Sequence, residues 1–173
     1  MNPTVYFVIP CYNEQEVLPE TVKRLTAKMD SMRGRGRANE KSRILLVDDG
    51  SKDKTWGIIS QLNQENGYVE GVKLAHNRGH QNALLCGLMA AMPQCDCAIS
   101  LDADLQDDVD ALDKFVEEFL GGCDVVYGVR NKRDTDTWFK RTTAEGFYKV
   151  MGLLGVDVVF NHAAYRLMSR RAL

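Results

Sequence analysis

Asp102 and Asp104 stand two apart at the end of a short apolar run, with Gln106 and Asp107 close behind. Carboxylates are hard oxygen ligands, and a pair so spaced suits Mg2+ or Mn2+. If the segment stays extended, both side chains point to one side and Gln106 adds a neutral oxygen. The same residues also read as an acidic loop that caps the next helix. Two other places repeat the pattern of apolar run followed by polar cluster. Asp48-Asp49-Gly50-Ser51 follows the run at 43–47, and Cys11-Tyr12-Asn13-Glu14 follows the run at 5–9 and Pro10. Polar residues past the carboxyl ends of strands lie where open α/β sheets bind ligands.

Elements must carry these clusters to one place. The runs at 5–9, 43–47, 68–74, 97–101 and 124–129 are β-branched, aromatic or apolar, and each reads as a strand. Between them, Val17, Leu18, Val22, Leu25 and Met29 recur at helical spacing, as do Trp56, Ile59 and Leu62. Asn13 with Glu16 reads as a capping box for the first helix. Gly50 supplies a turn, Asp53 or Ser51 a cap for the second helix, and Asn66-Gly67 its end. Residues 75–82 read as a polar loop, 83–91 as a helix rich in small residues, and 108–120 as a helix ended by Gly121-Gly122. An amphipathic helix is expected over 138–154, a strand over 156–160, and a strand end entering a helix over 168–173. Repeated strand–helix alternation predicts an α/β fold, a mostly parallel central sheet with helices on both faces.

Composition narrows the classes. The 173 residues suffice for one domain with a sizeable core. A net charge of −2 gives no overall field favouring nucleic acid, so no nucleic-acid partner is expected. Arg33-Gly-Arg-Gly-Arg37 has no interleaved aromatic for base stacking and reads as a solvated loop. No apolar stretch reaches the roughly 18 residues of a membrane span. No signal-peptide pattern opens the chain, so the expected compartment is cytosolic. Cys95 and Cys97 have no second pair and no histidine nearby, which argues against zinc. No G-x-G-x-x-G follows the first strand, which argues against a dinucleotide-dependent oxidoreductase.

Taken together and in order, the clusters resemble glycosyltransferase family 2. Pro10-Cys-Tyr12-Asn13-Glu14 resembles its P-x-Y-N-E, Asp48-Asp49-Gly50-Ser51-Lys-Asp53-Lys-Thr55 its D-D-G-S-x-D-x-T, and Asp102-Ala-Asp104 its D-A-D. Asn77-Arg78-Gly79-His80-Gln81-Asn82-Ala83 through Leu88 resembles N-x-G-x-x-x-A-x-x-x-G-L. The form Asp102-Ala-Asp-Leu-Gln-Asp107 is similar to the dolichol-phosphate-mannose-synthase-like branch. The resemblance implies a GT-A, Rossmann-like nucleotide-diphospho-sugar transferase fold over a single domain, 1–173, cut short at its carboxyl end. It implies an inverting transfer of a hexose from a UDP- or GDP-sugar to a polyprenyl phosphate. A polysaccharide hydroxyl acceptor and a non-catalytic nucleotide-sugar-binding module are the alternatives.

By the same resemblance Asp104 is the direct metal ligand for Mg2+ or Mn2+, with Asp102 and Gln106 assisting. Pro10, Tyr12 and Glu14 line the base and ribose pocket, and Asp49 reads the base. Arg130 occupies the place of the acceptor-phosphate arginine, with Arg141 as a second candidate. Trp138 and Phe139 beside Lys140 and Arg141 suit a peripheral contact with lipid headgroups, at the cytoplasmic face of a membrane. A C-terminal membrane segment beyond Leu173 and a homo-oligomer are also compatible with the family. One position departs from the pattern. Ala164 stands where the family has an aspartate at the reaction centre, two residues after His162. Alanine cannot take a proton, hold a metal or orient an arginine. A lipid phosphate, already largely ionised at neutral pH, needs no strong base, whereas a hydroxyl acceptor does. The change therefore favours the phosphate acceptor or signals low activity.

Overall fold

The computed structural model describes residues 2–106, 108–129 and 162–173. The expected helix over 138–154 and strand over 156–160 lie outside the described residues, as do Asp107, Arg130 and Arg141. The elements run β1 (Val5–Cys11), α1 (Leu18–Gly34), β2 (Arg43–Asp48), α2 (Thr55–Glu65), β3 (Val69–Lys73), α3 (His80–Ala91), β4 (Cys97–Ser100), α4 (Ala111–Leu120), β5 (Val125–Val129) and β6 (His162–Ser169). The chain divides into two compact units, Met1–Tyr127 with Ala164–Leu173, and Gly128–Ala163. All three polar clusters belong to the first unit.

The sheet has six strands in the order β3-β2-β1-β4-β6-β5. β1 pairs in parallel with both β2 and β4, and β2 with β3. Every residue of β1 is buried, as expected of a central parallel strand covered on both faces. Helix α3 covers one face, where Tyr6, Val8, Leu45, Val47 and Ala98 meet Ala83, Leu84 and Leu88. The approach is close at Gly87, where a Cβ would come within 2.5 Å of Val8 and 2.7 Å of Val47. On α2, Ile59 packs at Gly71 of β3. The expectation of a mostly parallel sheet with helices on both faces is met.

Several local expectations change. Helix α1 starts at Leu18, and Asn13 does not cap it. The Val17 and Leu18 N–H groups donate to the Glu14 carbonyl, and proline opens the first turn. Asn13 instead adopts a left-handed φ of 57°. Neither Asp53 nor Ser51 occupies the α2 cap position, which is Lys54. Helix α3 begins at His80, within the stretch expected to be loop, because Gly79 takes a φ of 88° and turns the chain there. The arginines after α1 are not simply solvated. Arg35 and Arg37 pair with Asp113 of α4, each at 2.9 Å. Over 168–173, Met168 and Ser169 do end a strand, β6, antiparallel to β4 with Ser100 opposite Arg166, but a turn rather than a helix follows it. Among the described residues no helix is long and apolar enough to cross a membrane.

Candidate functional site

The loops after β1 and β2 interlock. The Asn13 N–H donates to Ser51 Oγ at 3.0 Å, and Asn13 Oδ1 accepts from the Lys52 N–H at 2.9 Å. The Glu14 N–H donates to Thr55 Oγ1 at 2.8 Å, and the Gln15 N–H to Asp53 Oδ2 at 3.3 Å. Slight burial raises the Asp53 pKa, but bonds from Thr55 and Gln15 outweigh it and hold the carboxyl below its usual range. The left-handed Asn13 is thus a joint between two loops, a role its short amide side chain suits.

Asp49 ties in the third loop. It is 2% exposed, and its two oxygens accept from the Arg78 N–H at 2.7 Å and the Gly79 N–H at 2.9 Å. Gly50, at φ 67°, lies so near the same loop that a Cβ would fall 2.5 Å from the His76 carbonyl carbon. Asp48 is fully buried. Its Oδ1 accepts from the Ser51 N–H at 3.2 Å, while among the described residues Oδ2 has no hydrogen-bond partner.

The acidic loop after β4 is a turn, not the extended segment that would align alternate side chains. The Leu105 N–H donates to the Asp102 carbonyl at 3.3 Å, and Leu105 takes a φ of 47°. Exposure nevertheless alternates. Leu101, Ala103 and Leu105 are buried, while Asp102 is half-buried and Asp104 and Gln106 are exposed. The three apolar side chains anchor the turn and leave the polar ones outward. The Gln106 N–H donates to Asp104 Oδ1 at 3.3 Å. Neighbouring elements grip the backbone. The Thr21 hydroxyl donates to the Ala103 carbonyl at 2.5 Å, and the Tyr165 hydroxyl to the Asp108 carbonyl at 2.9 Å. The Tyr165 ring stacks at a tilt on Phe115, centroids 4.6 Å apart. His80 Nε2, at the start of α3, stands 3.8 Å from Asp102 Oδ1.

Electrostatics link the first and last of these loops. Burial, then the charges of Asp104, Asp53 and Asp102, push the Glu14 carboxyl above its usual range. Glu14, Asp102 and Asp104 therefore share one negative field at the carboxyl edge of β1 and β4. A divalent cation suits that field. Among the described residues no three acidic, histidine or cysteine groups close a cage around a metal. A cation held here would take one or two carboxylates and complete its shell with phosphate oxygens and water, the manner of Mg2+.

Of the remaining predicted site residues, Pro10 is buried in β1 and Tyr12 is 40% exposed beyond it. Ala164 lies in β6, the strand beside β4, and its side chain is outside the described residues. Thr21 and His80 were not singled out by sequence reasoning. Thr21 and Lys28 both interrupt the apolar stripe of α1, a pattern that signals polar partners without saying where along the chain they lie.

The sequence matches the family described as Glycosyl transferase family 2 over residues 6–173. An uncharacterized glycosyltransferase of Bacillus subtilis (strain 168), YkoT, is 50% identical over 172 residues, covering 99% of this chain and 51% of the relative. The chain spans about half the length of the curated relatives it matches. Among solved structures, the mannosyltransferase PcManGT of Pyrobaculum calidifontis, in complex with GDP-Man and Mn2+, superposes with a TM-score of 0.60 at 23% identity, covering 87% of this chain and 39% of that one. Glucosyl-3-phosphoglycerate synthase of Mycobacterium tuberculosis, with Mn2+, UDP and glucosyl-3-phosphoglycerate, gives 0.62 at 18% identity, covering 98% and 57%. These likenesses place the fold among the GT-A glycosyltransferases.

Proposed function

The chain belongs to glycosyl transferase family 2, and on that footing we propose that it is the nucleotide-sugar domain of an inverting, metal-assisted hexosyltransferase. The observation that carries the proposal is the meeting of the polar loops after β1, β2 and β4 at one edge of the parallel sheet, where the first two are tied by Asn13–Ser51 and Glu14–Thr55 hydrogen bonds. The solved relatives hold GDP-Man or UDP together with Mn2+, which supports the same class of donor here. Asp104 and Asp102 would hold the cation, with Gln106 assisting. Bound there, Mg2+ or Mn2+ supplies charge neutralisation for the departing diphosphate. Tyr12 offers an exposed ring beside Pro10 for the base. Asp49 keeps lone pairs beyond those given to Arg78 and Gly79, and serves the base pocket chiefly by holding that loop in place. The acceptor attacks C1 in line, from the face opposite the nucleotide.

For the acceptor we favour a polyprenyl phosphate over a glycan hydroxyl. Position 164 offers no base, and a phosphate oxygen is already ionised at neutral pH. Arg130 is the proposed partner of that phosphate, because a guanidinium fork matches two phosphate oxygens. Ala164 also favours a second reading, a module that binds the sugar nucleotide without transferring the sugar. Calorimetry with UDP- and GDP-sugars, with and without Mn2+, tests what the two share. Binding strengthened by the metal is expected for one of the two nucleotide series. Absence of metal-dependent binding in both would sink the proposal. Transfer to undecaprenyl phosphate then separates catalyst from binder, and Ala164→Asp measured alongside tests whether that position limits the rate.

A further inference from the structure

We infer that Thr21 is a positioning residue for the proposed metal site, holding the Asp102–Asp104 turn from helix α1. The inference rests on the proposed function for its metal half. Thr21 is 3% exposed and stands on the stripe of α1 formed by Leu18, Val22, Leu25 and Met29. Valine would fill that place with the same shape, so the hydroxyl is what threonine adds. Its partner is the Ala103 carbonyl oxygen at 2.5 Å, across 82 residues of chain. That carbonyl belongs to the peptide joining Ala103 to Asp104, and Ala103 is itself buried. The bond therefore sets the orientation of the peptide between the two carboxylates.

The same helix holds the far end of the loop. Lys28, two turns beyond Thr21, reaches Asp110 at 3.0 Å and Asp113 at 2.9 Å, where α4 begins. At its near end, the Val17 and Leu18 N–H groups close on the Glu14 carbonyl. Helix α1 thus runs from the Glu14 loop to the acidic loop, and Thr21 touches the residue between the two carboxylates. The turn needs that support. Leu105 holds a left-handed φ that its side chain disfavours. Without the hydroxyl, the buried carbonyl loses its partner, and the turn relaxes away from a geometry suited to a cation.

The test compares Thr21→Val and Thr21→Ala with Thr21→Ser. UDP and GDP are titrated calorimetrically with and without Mn2+, and hydrogen exchange is followed at the Leu105 and Gln106 amides. The Val and Ala variants should weaken Mn2+-dependent nucleotide binding roughly ten- to a hundredfold, the usual effect of losing a group that orients a metal ligand. Their metal-free nucleotide affinity should stay with the parent chain, and Leu105 exchange should quicken. The Ser variant, which keeps the hydroxyl, should restore both. If Val binds the Mn2+–nucleotide as the parent does, or if metal-free affinity falls in parallel, the inference is overturned. If the parent shows no metal-dependent binding, the proposed function fails and takes the metal half with it. Exchange at Leu105 then decides the rest, and unchanged exchange in both Val and Ala overturns it.

Discussion

Glu14 carries its charge against its surroundings. Burial, then Asp104, Asp53 and Asp102, raise its pKa above the ordinary carboxylate range. A carboxyl raised on folding favours the folded state when protonated, below its unfolded value. That contribution is lost as pH rises through the raised value. At neutral pH the ionised side chain therefore opposes folding in the ligand-free protein. Glu14→Gln should raise the melting temperature modestly near neutrality, and the gain should vanish as pH falls towards the carboxylate range. Thermal melts across that range check it; a gain that persists at low pH would mean the repulsion is not its cause. Glu14, Asp102 and Asp104 were legible in the sequence because each follows an apolar strand-forming run. Thr21 and His80 were not, because their partners, Ala103 and Asp102, lie far along the chain.

At the scale of elements, α1 and α4 are joined by a charge cluster. Asp113 is 7% exposed and meets Lys28, Arg35 and Arg37, each at 2.9 Å. Burial raises its pKa, but the bonds from Lys28 and Arg37 outweigh that and leave it below the usual range. Its stabilisation is thus present above the unfolded carboxylate value and is lost as pH falls through the lowered folded one. Lys28 is itself 7% exposed, so removing its buried partner leaves that cation in the interior with only the exposed Asp110 carboxylate. Asp113→Ala should cost about 3 kcal/mol in urea denaturation at neutral pH, and distinctly less at a pH where Asp113 is protonated. The basic loop at 33–37 read as solvated in the sequence. Its pairing with α4 depends on where two helices dock, and periodicity along one of them carries no record of the other.

For the molecule as a whole, the sheet order sets a gradient of protection. β1 lies between β2 and β4, and Phe7, Val8 and Ile9 are 0% exposed. Their amides should exchange only with global unfolding, whereas those of β3, at one end of the sheet, should exchange sooner through local opening. Native-state hydrogen exchange reads this directly; equal protection of β1 and β3 would count against the strand order. The identity of β1 to β5, the mostly parallel sheet and the polar clusters at strand ends were determined by the sequence alone, because alternation and apolar runs are local properties; β6 and its antiparallel pairing were not. Only the tertiary structure decided that the acidic segment is a turn gripped by Thr21, that Asp49 clamps the loop before α3, and that Glu14 shares the field of Asp102 and Asp104. Those facts depend on the distances between side chains brought together from separate strands and helices. Hydrogen bonding and Coulomb energy are set by those distances, which spacing along the chain does not carry.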